Sequence, residues 1–311
     1  MVVSHRIAIT GATGFLGRYV VDAVEERGHV PVGVVRNPDR VPELRARGIE
    51  LRRADLGDPE ALRAGFEGVD AVLSVAAMVN VSSMYSLRKS RRQEYIHTNV
   101  GGIENVLGAA AAAGVHRVVH VSSANIYRDR KPPIPEDGAL HSAGEHHLFS
   151  NIYSISKAEA ERLAWRLAET HGLALTTLRP TGIYGGHDPN LMPVLRVLLK
   201  PPVSILPVCT RLQLVHAGDV AEAAMLSLEN PDAVGQSFNI AGGDETLWEV
   251  VRLWRKELGL GPRLLLPIPF PVRPLLDTSR ARDVLGWRPR PISDGVAELV
   301  AREASFTGAE P

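Results

Sequence analysis

A glycine-rich stretch near the N-terminus constrains the fold of this chain more than any other part of the sequence. Residues 10–17 read TGATGFLG and follow the short, largely apolar run RIAI at residues 6–9. Apolar residues then recur at helical spacing as far as Val24. Glycines let a backbone approach a pyrophosphate, and a helix N-terminus offers it unpaired N–H groups. A strand that turns through glycines into a helix therefore predicts a dinucleotide-binding site.

The composition is ordinary for a globular protein and argues against several classes of function. The 311 residues carry no net charge, so the chain lacks the basic surface typical of proteins that bind nucleic acid or anionic membranes. No apolar run approaches the ~18 residues of a membrane span. The N-terminus runs directly into the first predicted strand, so we expect no signal peptide. The single cysteine, Cys209, excludes an internal disulfide and fits a reducing compartment. We expect a cytoplasmic protein.

The sequence shows no spacing typical of metal ligands. His141, His146 and His147 lie close together, but their proline and glycine neighbours indicate a solvated loop. Cys209 has no histidine or carboxylate near it in sequence, which indicates a small core or loop residue rather than a nucleophile. We therefore expect no metal site.

Strand-like and helical segments alternate through the first 180 residues, which predicts an α/β fold with a doubly wound parallel sheet. We interpret residues 1–180 as the dinucleotide-binding domain and residues 181–311 as mainly a smaller C-terminal substrate-binding lobe. Within that second part, residues 212–241 are expected to return to the main sheet, starting with a strand at 212–216. Residues 191–199 are expected to form a short apolar helix.

The end of the second predicted strand indicates which dinucleotide binds. An acidic residue there would accept hydrogen bonds from the adenosine ribose and repel a 2′-phosphate. This chain has Arg36 at that place, with Arg40 shortly after it. The sequence therefore favours NADP(H) over NAD(H). Asp55, at the end of the third predicted strand, is expected at the edge of the adenine pocket.

Tyr153 and Lys157 are the candidate catalytic pair. They lie at positions i and i+4 of a predicted helix and so share one face. A lysine one turn away can hold a tyrosine and lower its pKa, and the tyrosine can then exchange a proton with an alcohol or carbonyl. Ser123, at the end of the fifth predicted strand, can hydrogen-bond the same substrate oxygen. With a dinucleotide to supply or remove hydride, these residues indicate redox chemistry.

Together these motifs resemble the extended short-chain dehydrogenase/reductases, the NAD(P)-dependent epimerase/dehydratase family. The resemblance covers nearly the whole chain. It rests on the order and spacing of residues 10–17 (TGATGFLG), 55–56 (DL), 76–77 (AA), 99–100 (NV), 121–123 (VSS), 153–157 (YSISK), 178–185 (LRPTGIYG) and 285–287 (LGW).

The resemblance implies a Rossmann fold and a role for each matched residue. Tyr153 would be the catalytic acid/base, Lys157 would bind the nicotinamide ribose and tune Tyr153, and Ser123 would polarise the substrate oxygen. Arg36 would bind the 2′-phosphate of the cofactor. Family members commonly form homodimers. The residues expected to bind the cofactor are Gly11, Thr13, Gly14, Phe15, Leu16, Gly17, Arg36, Asp55, Leu56, Ala76, Ala77, Asn99, Tyr153, Lys157, Pro180 and Ile183.

Departures from the family's pattern argue against a nucleotide-sugar substrate. Nucleotide-sugar 4,6-dehydratases carry an acidic pair directly after the position of Ser123, where this chain has Ala124 and Asn125. Many nucleotide-sugar enzymes have an asparagine, in contact with the substrate diphosphate, where this chain has Gly182. They also carry an arginine shortly before the strand equivalent to residues 214–216. Arg211 lies near that place but is displaced from it by one residue.

Our main hypothesis is an NADP(H)-dependent oxidoreductase that interconverts a ketone or aldehyde and an alcohol. The apolar residues at 191–199 favour a small substrate of apolar character. Two alternatives stay open. One is a nucleotide-sugar epimerase, which would retain its cofactor through oxidation and re-reduction. The other is a non-catalytic NADP-binding sensor, which would have no need for an acid/base group at Tyr153.

Overall fold

A seven-stranded, wholly parallel sheet forms the centre of the molecule. The computed structural model describes residues 4–79, 89–128, 131–142, 151–190, 193, 203–206, 211–258, 264–267 and 275–307. With strands numbered in chain order, the sheet consists of β1 (Arg6–Thr10), β2 (Val30–Val35), β3 (Glu50–Arg53), β4 (Ala71–Ser74), β5 (Arg117–Val121), β6 (Ala174–Pro180) and β11 (Ser237–Ile240). Their spatial order is β3-β2-β1-β4-β5-β6-β11. The predicted doubly wound α/β fold is confirmed.

Helices cover both faces of this sheet. In chain order, the described helices are α1 (Phe15–Glu26), α2 (Pro42–Ala46), α3 (Pro59–Gly65), α4 (Lys89–Ile96), α5 (Gly102–Ala112), α6 (Ile152–His171), α7 (Ala217–Glu229), α8 (Leu247–Leu258), α9 (Ser279–Leu285) and α10 (Ile292–Thr307). Helices α8 and α10 pack in a smaller core away from the sheet. Successive residues of a strand point to opposite faces. Ile7 and Ile9 of β1 therefore pack in the core shared with α1 and α7, whereas Ala8 packs in the core shared with α3, α5 and α6.

Helix α6 begins and ends at residues suited to those positions. The Asn151 side chain caps its N-terminus, with Oδ1 accepting a hydrogen bond from the Ser154 backbone N–H at 2.8 Å. Gly172 ends the helix with φ +64°, a left-handed conformation that glycine adopts without strain. Tyr153 and Lys157 consequently lie in the first two turns of the helix.

The residues after β6 form short strands and a second, smaller core. These strands are β7 (Ile183–Tyr184), β8 (Val203–Leu206), β9 (Arg211–Leu212), β10 (Val215–His216), β12 (Glu245–Thr246) and β13 (Leu264–Pro267). They pair as β7 with β10, β8 with β13 and β9 with β12. Helices α8 and α10 pack together around Trp254, which is buried with Tyr184.

The expectation that the strand at 212–216 joins the main sheet is wrong. Its last two residues, Val215 and His216, form β10 and pair with β7, which lies beyond the end of β6. They cannot pair with β6 itself because β11 occupies that edge, with Ser237 in register with Thr177. Helix α7 and strand β11, which follow β10, do return to the sheet.

His141 is buried, which contradicts the expectation of a solvated loop at that residue. Its backbone N–H donates to the Ile126 carbonyl at 2.8 Å, and its own carbonyl accepts from Arg162. His146, His147, Cys209 and residues 191–199 other than Pro193 lie outside the described residues. In the part of the chain that is described, no helix has both the length and the apolar character needed to cross a bilayer.

Candidate active site

One cleft of about 690 Å³ lies at the carboxyl edge of the sheet. The loops after neighbouring parallel strands form its walls, because the carboxyl ends of such strands meet at the same edge. The predicted site residues that line the cleft are Gly11, Thr13, Gly14, Phe15, Leu16, Gly17, Arg36, Asp55, Leu56, Ala76, Ala77, Ser123, Tyr153, Lys157, Pro180 and Ile183.

Two glycines bring the loop after β1, helix α1 and the end of β4 unusually close together. Gly11 has φ +74°, and a Cβ there would lie 2.9 Å from the Cα of Ala76. Gly17 lies in the first turn of α1, where a Cβ would overlap the carbonyl oxygen of Gly11. Gly14, the N-cap residue, leaves the end of α1 without a side-chain cap. The N–H groups of that helix end are therefore open to a ligand in the cleft.

Ser123, Tyr153 and Lys157 come together in the same cleft, and all three are buried. The Ser123 hydroxyl is close enough to Tyr153 to act on the pKa of the tyrosine. Ser123 Oγ also accepts from the backbone N–H of Asn125 at 3.2 Å. Lys157 Nζ donates to the carbonyl oxygen of Val121, the last residue of β5, at 2.8 Å. The end of β5 thus positions both the hydroxyl pair and the ammonium group.

Burial dominates the ionisation of both Tyr153 and Lys157. Burial raises the pKa of Tyr153, while the Ser123 hydroxyl acts in the opposite direction. Burial lowers the pKa of Lys157 to about 8, although the charge of Glu161 acts to raise it. The pKa of Tyr153 is therefore raised, not lowered as the sequence predicted, and the Lys157 ammonium donates to the Val121 carbonyl. Tyr153 holds its proton at neutral pH.

Arg36 lies at the end of the cleft formed by β2 and β3. Its side chain is 83% exposed, and Nε lies 4.0 Å from Asp55 Oδ2. Asp55 is held in turn by the Gly57 backbone N–H, which donates to its Oδ1 at 2.8 Å. An exposed guanidinium keeps its planar set of donors available for a phosphate. Arg40 ends a 3₁₀ turn beyond Arg36 and does not line the cleft.

Asn99 lies behind the cleft rather than in its wall. Its Oδ1 accepts from the Met78 backbone N–H at 2.8 Å, and its Nδ2 donates to Ser156 Oγ at 3.0 Å. The buried amide therefore ties the loop after β4 to helix α6. Among the predicted cofactor residues, all of which are described, Asn99 is the one that the structure does not place in the cleft wall.

Several polar residues line the cleft that the sequence did not assign to it. They include Glu94 on α4, Asp188 and Asn190 after β7, and Asn125, whose side chain is exposed. Asp188 Oδ1 accepts from the Asn190 backbone N–H at 2.8 Å and shapes this loop. No sequence pattern marked Glu94.

Residues 7–241 match the model of the NAD dependent epimerase/dehydratase family. The chain belongs to this family. Its relatives are extended short-chain dehydrogenase/reductases and include reductases, and solved proteins of the same fold include an epimerase and a dehydratase. The prediction of an enzyme of this class is confirmed at the level of the family.

Individual relatives differ in how much of the chain they match. Cinnamoyl-CoA reductase 1 of Arabidopsis thaliana is 31% identical over 278 residues, which cover 84% of this chain and 76% of the relative. A 3 beta-hydroxysteroid dehydrogenase/Delta 5-->4-isomerase of Mycobacterium tuberculosis is 30% identical over 204 residues, 65% of this chain. The match covers 53% of that relative, so the chain spans about half its length.

Solved structures of the same fold cover nearly the whole chain. UDP-glucose 4-epimerase of Thermotoga maritima, solved with UDP-glucose, has a TM-score of 0.80 at 22% identity, covering 97% of this chain and 99% of that one. MoeE5, solved with UDP-glucose and NAD, has a TM-score of 0.78 at 25% identity over 97% of this chain and 99% of its own.

Proposed function

We propose that this chain is an NADP(H)-dependent oxidoreductase that interconverts a ketone or aldehyde and an alcohol on a small, apolar substrate. The observation that carries the proposal is that Ser123 and Tyr153 are brought together in the cleft that the glycine-rich loop also lines. Two hydroxyls so close together can bind one substrate oxygen. Lys157, one turn along α6 from Tyr153, supplies a positive charge beside them.

The residues of the cleft fit a dinucleotide. The close approach at Gly11 and Gly17 leaves room for a pyrophosphate at the N-terminus of α1, where the helix dipole favours an anion. Tyr153 and Lys157 would contact the nicotinamide ribose. When bound, NADP(H) would supply hydride to the substrate carbon or accept it.

Tyr153 is the proton donor for the reductive direction. Because burial raises its pKa, it is protonated at neutral pH and can donate to the substrate oxygen as negative charge develops there. The Ser123 hydroxyl stabilises that charge by hydrogen bonding. The ammonium of Lys157 favours the tyrosinate that proton transfer leaves behind. In the oxidative direction the same groups act in reverse.

The exposed guanidinium of Arg36 supports NADP(H) as the cofactor. It lies where the 2′ position of the adenosine ribose is recognised in dinucleotide folds. An acidic residue at the end of β2 would repel a 2′-phosphate, and Arg36 replaces it with a group that binds phosphate through several parallel hydrogen bonds. Asp55, 4.0 Å away, helps to hold the guanidinium at that end of the cleft.

The rest of the cleft supports a substrate without a diphosphate. Among the cleft-lining residues that the structure describes, Arg36 is the only arginine. Arg211, the nearest counterpart of an arginine in nucleotide-sugar enzymes, pairs instead with Asp244. A diphosphate is usually bound by guanidinium groups or helix ends. A relative named dihydroflavonol 4-reductase fits the same interpretation, since a dihydroflavonol carries no phosphate.

A screen of NADPH consumption across aldehydes, ketones and nucleotide sugars tests this proposal. We expect net oxidation of NADPH with at least one aldehyde or ketone and none with nucleotide sugars. Epimerisation of a nucleotide sugar, with cofactor retained through purification and no net NADPH turnover, would overturn it in favour of an epimerase. Absence of turnover, with biological activity unaffected by Tyr153→Phe, would point to a sensor.

A further inference from the structure

A small cavity of about 10 Å³ lies directly behind the cleft, enclosed by β4, β5, α5 and α6. Its volume is about that required by one water molecule. Lys157, Ala76 and Ala77 line both spaces, so a single layer of side chains separates the cavity from the cleft. His120 lines the cavity from β5. The mechanism derived above does not use His120.

His120 presents a free lone pair to this cavity. Its Nδ1 lies 3.2 Å from Ser74 Oγ, and a bond of the ring to the Ser74 backbone acts to raise the pKa of His120, so we assign the ring proton to Nδ1, the nitrogen that faces Ser74. Burial, together with the nearby charge of Lys157, holds the pKa of His120 well below its usual range. The ring is therefore neutral and Nε2 is an acceptor. Nε2 is buried and has no hydrogen-bond partner within the described part of the chain.

Lys157 brings the complementary donors. An ammonium group has three N–H bonds and no acceptor. The described residues give it one partner, the Val121 carbonyl at 2.8 Å. Asn99 also lines the cavity, but its amide is engaged with Met78 and Ser156. Because a buried charge is costly unless hydrogen bonds satisfy it, the side of Lys157 that faces the cavity needs an acceptor.

We propose that a buried water molecule in this cavity accepts a hydrogen bond from Lys157 Nζ and donates one to His120 Nε2. His120 is then a positioning residue: through the water it holds Lys157 in its charged form and in place beside Tyr153. The inference deepens the proposed function, since it rests on the role of Lys157 there.

The ionisable groups around Lys157 come from two elements. Tyr153 lies on the preceding turn of α6, and Glu161 lies on the following turn, where its charge acts against burial to raise the pKa of Lys157. Glu161 is itself paired with Arg179. From β5, His120 contributes a neutral ring. His120 is thus the group whose replacement removes an acceptor without removing a charge.

Titration of Lys157 by NMR in protein labelled with ¹³C-lysine tests the proposal directly. The sequence contains five lysines, so the spectrum is simple, and a Lys157→Met variant assigns the signal. We expect His120→Leu to lower the pKa of Lys157 by about one pH unit, the scale of one lost hydrogen bond to a charged group. His120→Gln keeps an acceptor and is expected to leave the pKa of Lys157 near the wild-type value.

Val118→Ala is the matched control, because Val118 is fully buried on β5 and faces the same side of the sheet as His120. It should lower stability without moving the pKa of Lys157. An unchanged pKa in His120→Leu, or equal shifts in all three variants, would overturn the proposal. A wild-type crystal structure at high resolution gives a second test that needs no variant. It should show an ordered water within hydrogen-bond distance of both atoms, and clear density without one would contradict the proposal.

These readouts do not depend on turnover. If the pKa shift and the water are found but no carbonyl substrate consumes NADPH, the proposed function fails while the water site stands. If NADPH turnover is found but His120→Leu leaves the pKa of Lys157 unchanged, the water site fails while the proposed function stands.

Discussion

Tyr153 and Lys157 lie one turn apart on α6, and burial shifts the pKa of each in the direction of its uncharged form. Burial raises the pKa of Tyr153 and lowers that of Lys157 to about 8. The i, i+4 spacing predicted their shared face, because helical geometry alone fixes it. The spacing could not predict that Lys157 bonds to the Val121 carbonyl, since that contact depends on how α6 packs against β5.

The proposed preference for NADP(H) rests on Arg36, and a single substitution tests it. We expect Arg36→Ala to weaken NADPH binding by about tenfold or more, the scale of charge-assisted hydrogen bonds, and to change NADH binding little. Fluorescence titration with both cofactors measures this. Arg45→Ala is the control, because Arg45 pairs with Asp39 and does not line the cleft. Equal losses of NADPH and NADH affinity in Arg36→Ala would refute a 2′-phosphate contact.

At the scale of elements, the glycine-rich loop was predictable because its backbone geometry demands particular residues. Gly11 has a positive φ, and Gly17 lies where the loop and α1 nearly touch. The prediction that the strand at 212–216 joins the main sheet was wrong because β11 occupies the edge of β6. Strand β10 pairs with β7 instead. Which of two distant segments pairs with a given strand edge cannot be predicted from the local sequence.

A methyl group at Gly17 tests whether that close approach shapes the cofactor site. Gly17→Ala would overlap the Gly11 carbonyl and push α1 away from the loop. We expect a loss of about 1–3 kcal/mol in the free energy of unfolding, as for other overpacked sites, together with weaker binding of both NADPH and NADH. Urea unfolding and cofactor titration measure the two effects.

Gly108→Ala provides the matched helical control. Gly108 lies within α5, where an added Cβ meets no atom within 4 Å. Alanine there should stabilise the protein by about 0.5–1 kcal/mol, because glycine loses more backbone freedom in a helix. If Gly17→Ala were as well tolerated as Gly108→Ala, the close approach of α1 and the loop would not be required.

At the scale of the whole molecule, a buried polar network joins the main sheet to the residues that cover its carboxyl edge. Arg179 of β6 donates from Nε to Glu161 of α6 at 2.9 Å and from Nη1 to the Tyr127 hydroxyl at 2.7 Å. The Tyr127 hydroxyl donates to Asn239 of β11 at 2.6 Å. Asn239 donates in turn to the carbonyl of Asp277, in the C-terminal part of the chain, at 2.9 Å.

Removing one member of the central ion pair leaves the other charge buried. Arg179 and Glu161 are both buried, and although burial acts to lower the pKa of Arg179, the Glu161 carboxylate raises it. We expect Arg179→Leu to cost about 3–5 kcal/mol in the free energy of unfolding, because the Glu161 charge loses its partner. The double variant Arg179→Leu with Glu161→Leu should be more stable than Arg179→Leu alone. Equal stabilities in urea unfolding would show that the pair is not coupled.

In the proposed reaction, Tyr153 is the group that exchanges a proton with the substrate. The most direct test compares wild type and Tyr153→Phe in NADPH oxidation with the best carbonyl substrate from the screen, with NADPH affinity measured in parallel. We predict a rate lowered by about 10²–10⁴-fold, the usual contribution of a general acid, with NADPH affinity nearly unchanged. A variant that keeps more than about a tenth of the wild-type rate would contradict general-acid catalysis of this size by Tyr153.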